Sequence, residues 1–90
     1  MASKRHLKHT IHCICTDLFA ECIAVSLYGN HNHEENTKAI LSSILVIHQD
    51  FIRRVSHPEP GMKSKVYFGK LLEDFYKQAN EILDQIRNMD

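Results

Sequence analysis

The sequence predicts an all-α protein of three long amphipathic helices, arranged as an antiparallel bundle or as an open helical array. Apolar residues recur at alternating steps of three and four along three long stretches, which is the repeat of one helix face. The segments between these stretches contain glycine, asparagine and proline, which commonly end helices. The length of 90 residues suits one helical domain that spans residues 1–90.

The first predicted helix covers about residues 3–28. Ser3 is a suitable N-cap, and Gly29-Asn30 tolerate the left-handed backbone that often ends a helix. We expect Leu27 to widen its apolar face. The face consists of Leu7, Ile11, Ile14, Leu18, Cys22 and Val25.

The second predicted helix covers about residues 33–55. Asn32 and Glu35 have the spacing of a capping box. Because its apolar residues cover a wide arc, we expect this helix to be central and the most buried. The short connection to the first helix predicts that the two are antiparallel neighbours. The apolar residues are Ile40, Leu41, Ile44, Leu45, Ile47, Phe51, Ile52 and Val55.

The third predicted helix covers about residues 63–88, after the breaker segment 57–61 with its two prolines. Its apolar residues recur at alternating steps of four and three, as in the seam of a coiled coil. Gly69 interrupts an otherwise good helical sequence, and we expect it to mark a close helix crossing. The seam is Phe68, Leu72, Phe75, Ala79, Ile82, Ile86 and Met89.

The charges and cysteines favour a soluble cytoplasmic protein. The formal net charge is zero, so the total charge favours neither a polyanion nor a membrane surface as partner. Asp17 and Glu21 interrupt the first apolar stretch, and we expect these charges to exclude a signal peptide and a membrane span. All three cysteines lie in the first helix, which makes a poor disulfide framework and indicates free thiols in a reducing compartment.

The seven histidines suggest a metal site as one alternative function. His9 and Cys13 have the i, i+4 spacing that can chelate a metal on one helix face. If the first two helices are antiparallel, the start of one and the end of the other bring candidate ligands for zinc or a small molecule together. The candidates are His9, His12, Cys13, His48 and His57. The simpler interpretation is that the histidines are solvated and that Cys13 is a packed apolar residue.

No catalytic residue or resident cofactor is predicted. Cys13 beside His9 could suggest a nucleophile and its base, but no oxyanion-hole loop is visible, so we expect no enzymatic activity. The basic start with Lys4, Arg5 and Lys8 gives a third hypothesis, weak nucleic-acid binding. A solvated helix start is the favoured interpretation, because no aromatic residue accompanies these few charges.

The segment around the prolines is a candidate partner-binding loop, because a rigid exposed loop makes a suitable docking surface. Its exposed polar side chains are expected to be Arg53, Arg54, His57 and Glu59.

Three segments carry a resemblance to a known family: 1–5, 18–22, and 56–62 with Tyr67-Phe68. In these segments the chain resembles a family of small, uncharacterised all-helical proteins found mainly in Bacteroidetes bacteria. The resemblance implies an all-helical cytoplasmic protein, and it brings no catalytic residue with it.

Taken together, the sequence favours a non-enzymatic helical interaction module that self-associates, as a homodimer or a higher oligomer. A long, narrow helical array of this size would leave apolar surface that a second copy could cover.

Overall fold

The computed structural model describes residues 4–28 and 34–88, which form three helices and the connection between the last two. Helix α1 is Lys4–Tyr28, α2 is Glu34–Ser56 and α3 is Ser64–Arg87. The predicted all-α class is therefore confirmed, and each helix bound that was predicted from the sequence lies within about one residue of the observed one. The expected terminator Gly29-Asn30 and the expected caps Ser3 and Asn32 lie outside the described residues.

The helices run up, down and up. His12 near the start of α1 contacts His48 near the end of α2, so these two helices are antiparallel. Asn36 at the start of α2 lines one cavity together with Asn88, just after α3, so α2 and α3 are antiparallel as well. The three helices form a rod with extents of 50 × 18 × 16 Å, in which every pair of helices is in contact.

One apolar core runs along the rod, and its positions differ slightly from the predicted faces. Cys15 is buried where Ile14 was expected, and Leu71 is buried where Leu72 was expected, because the buried face takes a step of four residues at these places where a step of three was predicted. Leu27 is 72% exposed, so the expectation that it widens the packed face is wrong. The buried residues are Leu7, Ile11, Cys15, Leu18, Cys22, Ile40, Ile44, Phe51, Val55, Leu71, Phe75, Ala79, Ile82 and Ile86.

Helix α2 is not the most buried helix, contrary to the expectation from its wide apolar arc. In a three-helix bundle each helix faces two neighbours, so only part of its circumference can be covered. Ile44 and Phe51 enter the core, whereas Leu41 and Ile52 are only partly buried and Leu45 is 53% exposed. The wide arc therefore leaves apolar side chains at the surface of α2.

The corner between α2 and α3 is closed by the side chain of Tyr67. Its hydroxyl donates to the carbonyl oxygen of Arg54 at 3.0 Å and also lies 3.5 Å from that of His57. These carbonyls lie in the last turn of α2 and directly after it, where no further helical N–H is available to them. The loop then turns at Gly61, whose φ of 88° lies in the left-handed region that favours glycine.

The two described glycines are expected to respond in opposite ways to substitution by alanine. A Cβ at Gly69 or at Gly61 would meet nothing within 4 Å, so Gly69 marks no close helix crossing and that prediction is wrong. Gly69→Ala should raise the free energy of unfolding by about 1 kcal/mol, because alanine loses less backbone entropy in a helix. Gly61→Ala is the matched control. It should lower the free energy of unfolding, because alanine is strained at the positive φ of this position. Urea denaturation measures both, and a loss of stability in Gly69→Ala would contradict this prediction.

Helix α1 is long and apolar enough to cross a membrane, by its length and composition. Asp17 and Glu21 were expected to exclude a membrane span. Helix α1 nevertheless meets the length and composition criteria for one. The core helix of a soluble protein meets the same criterion. In the rod, the Leu7, Ile11 and Leu18 side chains of α1 are buried against the other helices.

Candidate functional site

A groove between α1 and α2 has an almost wholly apolar surface. It has a volume of about 190 Å³ and exposes almost only carbon. None of the side chains lining it is a carboxylate, a lysine or an arginine, whereas the cavities near Tyr67 and Glu21 both have charged walls. We call this cavity the α1–α2 groove; its lining residues are His12, Cys15, Thr16, Phe19, Ile44, Leu45 and His48.

Two histidines from different helices meet at one end of the α1–α2 groove. Nδ1 of His12 lies 3.3 Å from Nε2 of His48, and the rings meet edge to face with centroids 5.4 Å apart. His12 is exposed and His48 is half-buried. The antiparallel packing of α1 and α2 brings together two residues that lie 36 positions apart in the sequence.

The other candidate ligands do not join this pair. Nε2 of His9 lies 3.5 Å from Sγ of Cys13 on the exposed side of α1, as their i, i+4 spacing suggests. His57 is exposed in the loop after α2 and belongs to neither pair. Over residues 4–28 and 34–88, no three His, Cys, Asp or Glu side chains come together.

The three thiols are free and differ in their surroundings. Cys13 is exposed, while Cys15 and Cys22 are buried in the core. Burial raises the pKa of the Cys15 thiol to about 11 and also raises the pKa of Cys22. At neutral pH, Cys15 therefore keeps its proton, so it is a poor nucleophile although it lines the same groove as His12.

The structure separates the four candidate partner-binding residues of the proline segment into two pairs. Arg54 and Glu59 line a second cavity of about 290 Å³, together with Tyr67, whereas Arg53 and His57 are exposed and do not line it. Arg54 is already engaged by its own helix. Its guanidinium lies 2.9 Å from the Asp50 carboxylate and 4.7 Å from the centroid of the Phe51 ring.

The charges of the rod are polarised along its length. The half that contains the start of α1 has an excess of cations: Lys4, Arg5, Lys8, Arg53, Arg54, Lys63, Lys65 and Lys70 against Asp50, Glu59, Glu73 and Asp74. The opposite half has an excess of anions: Asp17, Glu21, Glu34, Glu35, Glu81 and Asp84 against Lys38, Lys77 and Arg87. The basic start of α1, considered for nucleic acid, is one part of this polarity.

Five groove residues were not among the sequence-predicted site residues: Cys15, Thr16, Phe19, Ile44 and Leu45. For Ile44 and Leu45 the signal was present in the wide apolar arc of α2, which was interpreted as a buried hub. No protein-family model, no curated protein and no solved structure matches this chain. The resemblance to a Bacteroidetes family therefore stays a prediction from the sequence.

Proposed function

We propose that this protein is a non-enzymatic helical interaction module that self-associates, as a homodimer formed through the α1–α2 groove. The observation that carries the proposal is an uncharged apolar groove at which a large side chain, Leu45, is half exposed. Exposed apolar surface framed by polar residues commonly marks an interaction site.

The solvent-accessible area of the chain is larger than that of a compact monomer, which supports an interface with a partner. Its solvent-accessible area is 6503 Å², whereas a compact monomer of 10.5 kDa exposes about 5,400 Å². The excess of about 1,000 Å² is comparable with the roughly 800 Å² that each partner buries in a standard interface. A thin rod exposes this surplus because it has few layers of side chains.

A second copy suits the α1–α2 groove better than a charged partner does. In a two-fold symmetric dimer the same patch faces itself, so a charge close to the axis would meet its own copy. The groove avoids this repulsion, since its lining from His12 to His48 includes no carboxylate, lysine or arginine. Leu45 and Phe19 of each copy can then pack against those of the other.

The polarity of the rod favours an antiparallel pair. When two copies lie side by side in opposite directions, the cationic half with Lys4 and Arg5 faces the anionic half with Glu34 and Glu35. A two-fold axis through the middle of the groove creates this match twice. Such complementarity steers association and fixes the direction of pairing.

We also propose that the protein acts in the cytoplasm. Support comes from its cysteines, which form no disulfide along residues 4–28 and 34–88. Free thiols are kept reduced in that compartment.

Replacing Leu45 by aspartate tests the proposed dimer. We expect wild-type protein at micromolar concentration to have twice the chain mass of 10.5 kDa in multi-angle light scattering. Leu45→Asp should be monomeric, with a dissociation constant raised more than about a hundredfold, because symmetry places the lost apolar contact and the new charge in the interface twice.

The neighbouring residue provides a matched control. Val46 is also apolar and is 64% exposed, but it does not line the groove. Val46→Asp should therefore leave the dimer intact. A monomeric wild-type protein, or equal loss of the dimer in both variants, would refute the proposal. Far-UV circular dichroism of both variants checks that the helices remain folded.

A further inference from the structure

We infer that His12 and His48 form a chelating site for one divalent transition-metal ion of the zinc class. The ligand atoms are Nδ1 of His12 and Nε2 of His48. The site uses ligands from a single chain, so it does not depend on the proposed dimer.

The distance between the two nitrogens fits a tetrahedral metal ion. Zinc binds imidazole nitrogen at about 2.0–2.1 Å, which separates two tetrahedral ligands by about 3.4 Å. The observed separation of Nδ1 and Nε2 is 3.3 Å. Two ligands at a right angle, as in an octahedral site, would lie only about 2.9 Å apart at the same bond length. The distance between the two nitrogens is thus that of two ligands of a tetrahedral ion.

The protonation chemistry of the pair leaves room for a cation between the rings. A neutral imidazole carries one N–H and one lone pair. If His12 keeps its proton on Nε2 and His48 keeps its proton on Nδ1, both lone pairs point into the 3.3 Å gap. Two facing lone pairs repel each other, so the gap is occupied either by a proton, as a hydrogen bond, or by a metal ion. A bound ion displaces that proton to solvent.

The surroundings allow entry of the ion and leave part of its coordination shell to water. His12 is exposed in the single chain, so an ion reaches the pair from solvent when no second copy covers the α1–α2 groove. Among the described residues no third His, Cys, Asp or Glu joins the pair. With only two protein ligands, the affinity should be lower than that of a structural zinc site with four.

Binding at this pair has a consequence that binding at His9 and Cys13 lacks. His12 lies on α1 and His48 on α2, so one ion ties two helices together across 36 residues of sequence. Because the unfolded chain does not hold the two rings together, zinc should stabilise the folded state by mass action. His9 and Cys13 lie on one helix, where an ion would join no second helix.

The experiment uses the full chain without an affinity tag and follows binding of zinc chloride by calorimetry and thermal unfolding. We expect one zinc per chain and a Tm several degrees higher in zinc than in EDTA. In His12→Ala and in His48→Asn, the rise in Tm should disappear and the affinity should fall at least about tenfold. His9→Ala is the matched control and should keep both the rise in Tm and the affinity for zinc.

Nitrogen-15 NMR of the histidine rings identifies the bound atoms. Zinc should shift Nδ1 of His12 and Nε2 of His48, while the other nitrogen of each ring keeps its proton. The inference is overturned if zinc does not bind, if the His12 and His48 variants keep the rise in Tm, or if His9→Ala abolishes it. The Tm of each variant in EDTA shows that the variant is folded before zinc is added.

Discussion

Phe51→Ala should lower the free energy of unfolding by about 3–5 kcal/mol, because it removes the ring at the centre of the α2–α3 packing. Phe51 and Phe75 are fully buried, and their rings meet edge to face with centroids 5.2 Å apart. Arg54 also lies over the Phe51 ring. A small domain has a total stability of only about 5–15 kcal/mol, so this one change should leave a marginal fold. Urea denaturation followed by circular dichroism measures the loss.

Tyr76→Ala is the control for this prediction. Tyr76 is an aromatic residue of α3 that lies beside Phe75 but is 45% exposed. Its removal should cost far less than that of Phe51, since water already covers much of the ring. Equal losses for Phe51→Ala and Tyr76→Ala would contradict the packing of α2 against α3.

Ile11→Ala should lower the free energy of unfolding by about 2–5 kcal/mol, because it opens a cavity beneath α1. Ile11 is fully buried, within a helix whose composition would also permit a membrane span. The variant therefore tests whether α1 belongs to the bundle in solution. Thermal unfolding should show one transition, shifted downward by several degrees.

Leu27→Ala is the matched control on the same helix. Leu27 is as large and as apolar as Ile11 but is mostly exposed, so its removal should change the stability by no more than about 0.5 kcal/mol. If Ile11→Ala were as harmless as Leu27→Ala, α1 would not pack against α2 and α3. Purification from the membrane fraction would point to the same conclusion.

Helix positions were predictable from the sequence, and the exact buried face was not. Spacing and breaker residues locate a helix, but a step of four in place of three exchanges Ile14 for Cys15 or Leu72 for Leu71. Both members of each pair are apolar, so the pattern alone cannot choose between them. Which member of each pair is buried depends on how the neighbouring helices are oriented. The residue spacing within one helix does not specify that orientation.

The candidate site was predictable only in its rough location. Antiparallel pairing suggested that His12 approaches His48, since the start of one helix lies beside the end of the next. That His57 stays apart depends on the turn after Ser56, which the residue spacing does not specify. The groove beside the histidine pair was missed because the apolar arc of α2 was assigned wholly to burial. In a bundle of three helices, part of such an arc faces solvent.

The 50 × 18 × 16 Å dimensions of the rod affect how its mass must be measured. An elongated particle tumbles and diffuses more slowly than a sphere of equal mass, so a single chain elutes early from a gel-filtration column and can imitate a dimer. Side-by-side pairing widens the particle without lengthening it, so the frictional ratio should fall as the mass doubles. Sedimentation velocity, which yields mass and friction together, therefore separates a single chain from a pair where elution volume does not.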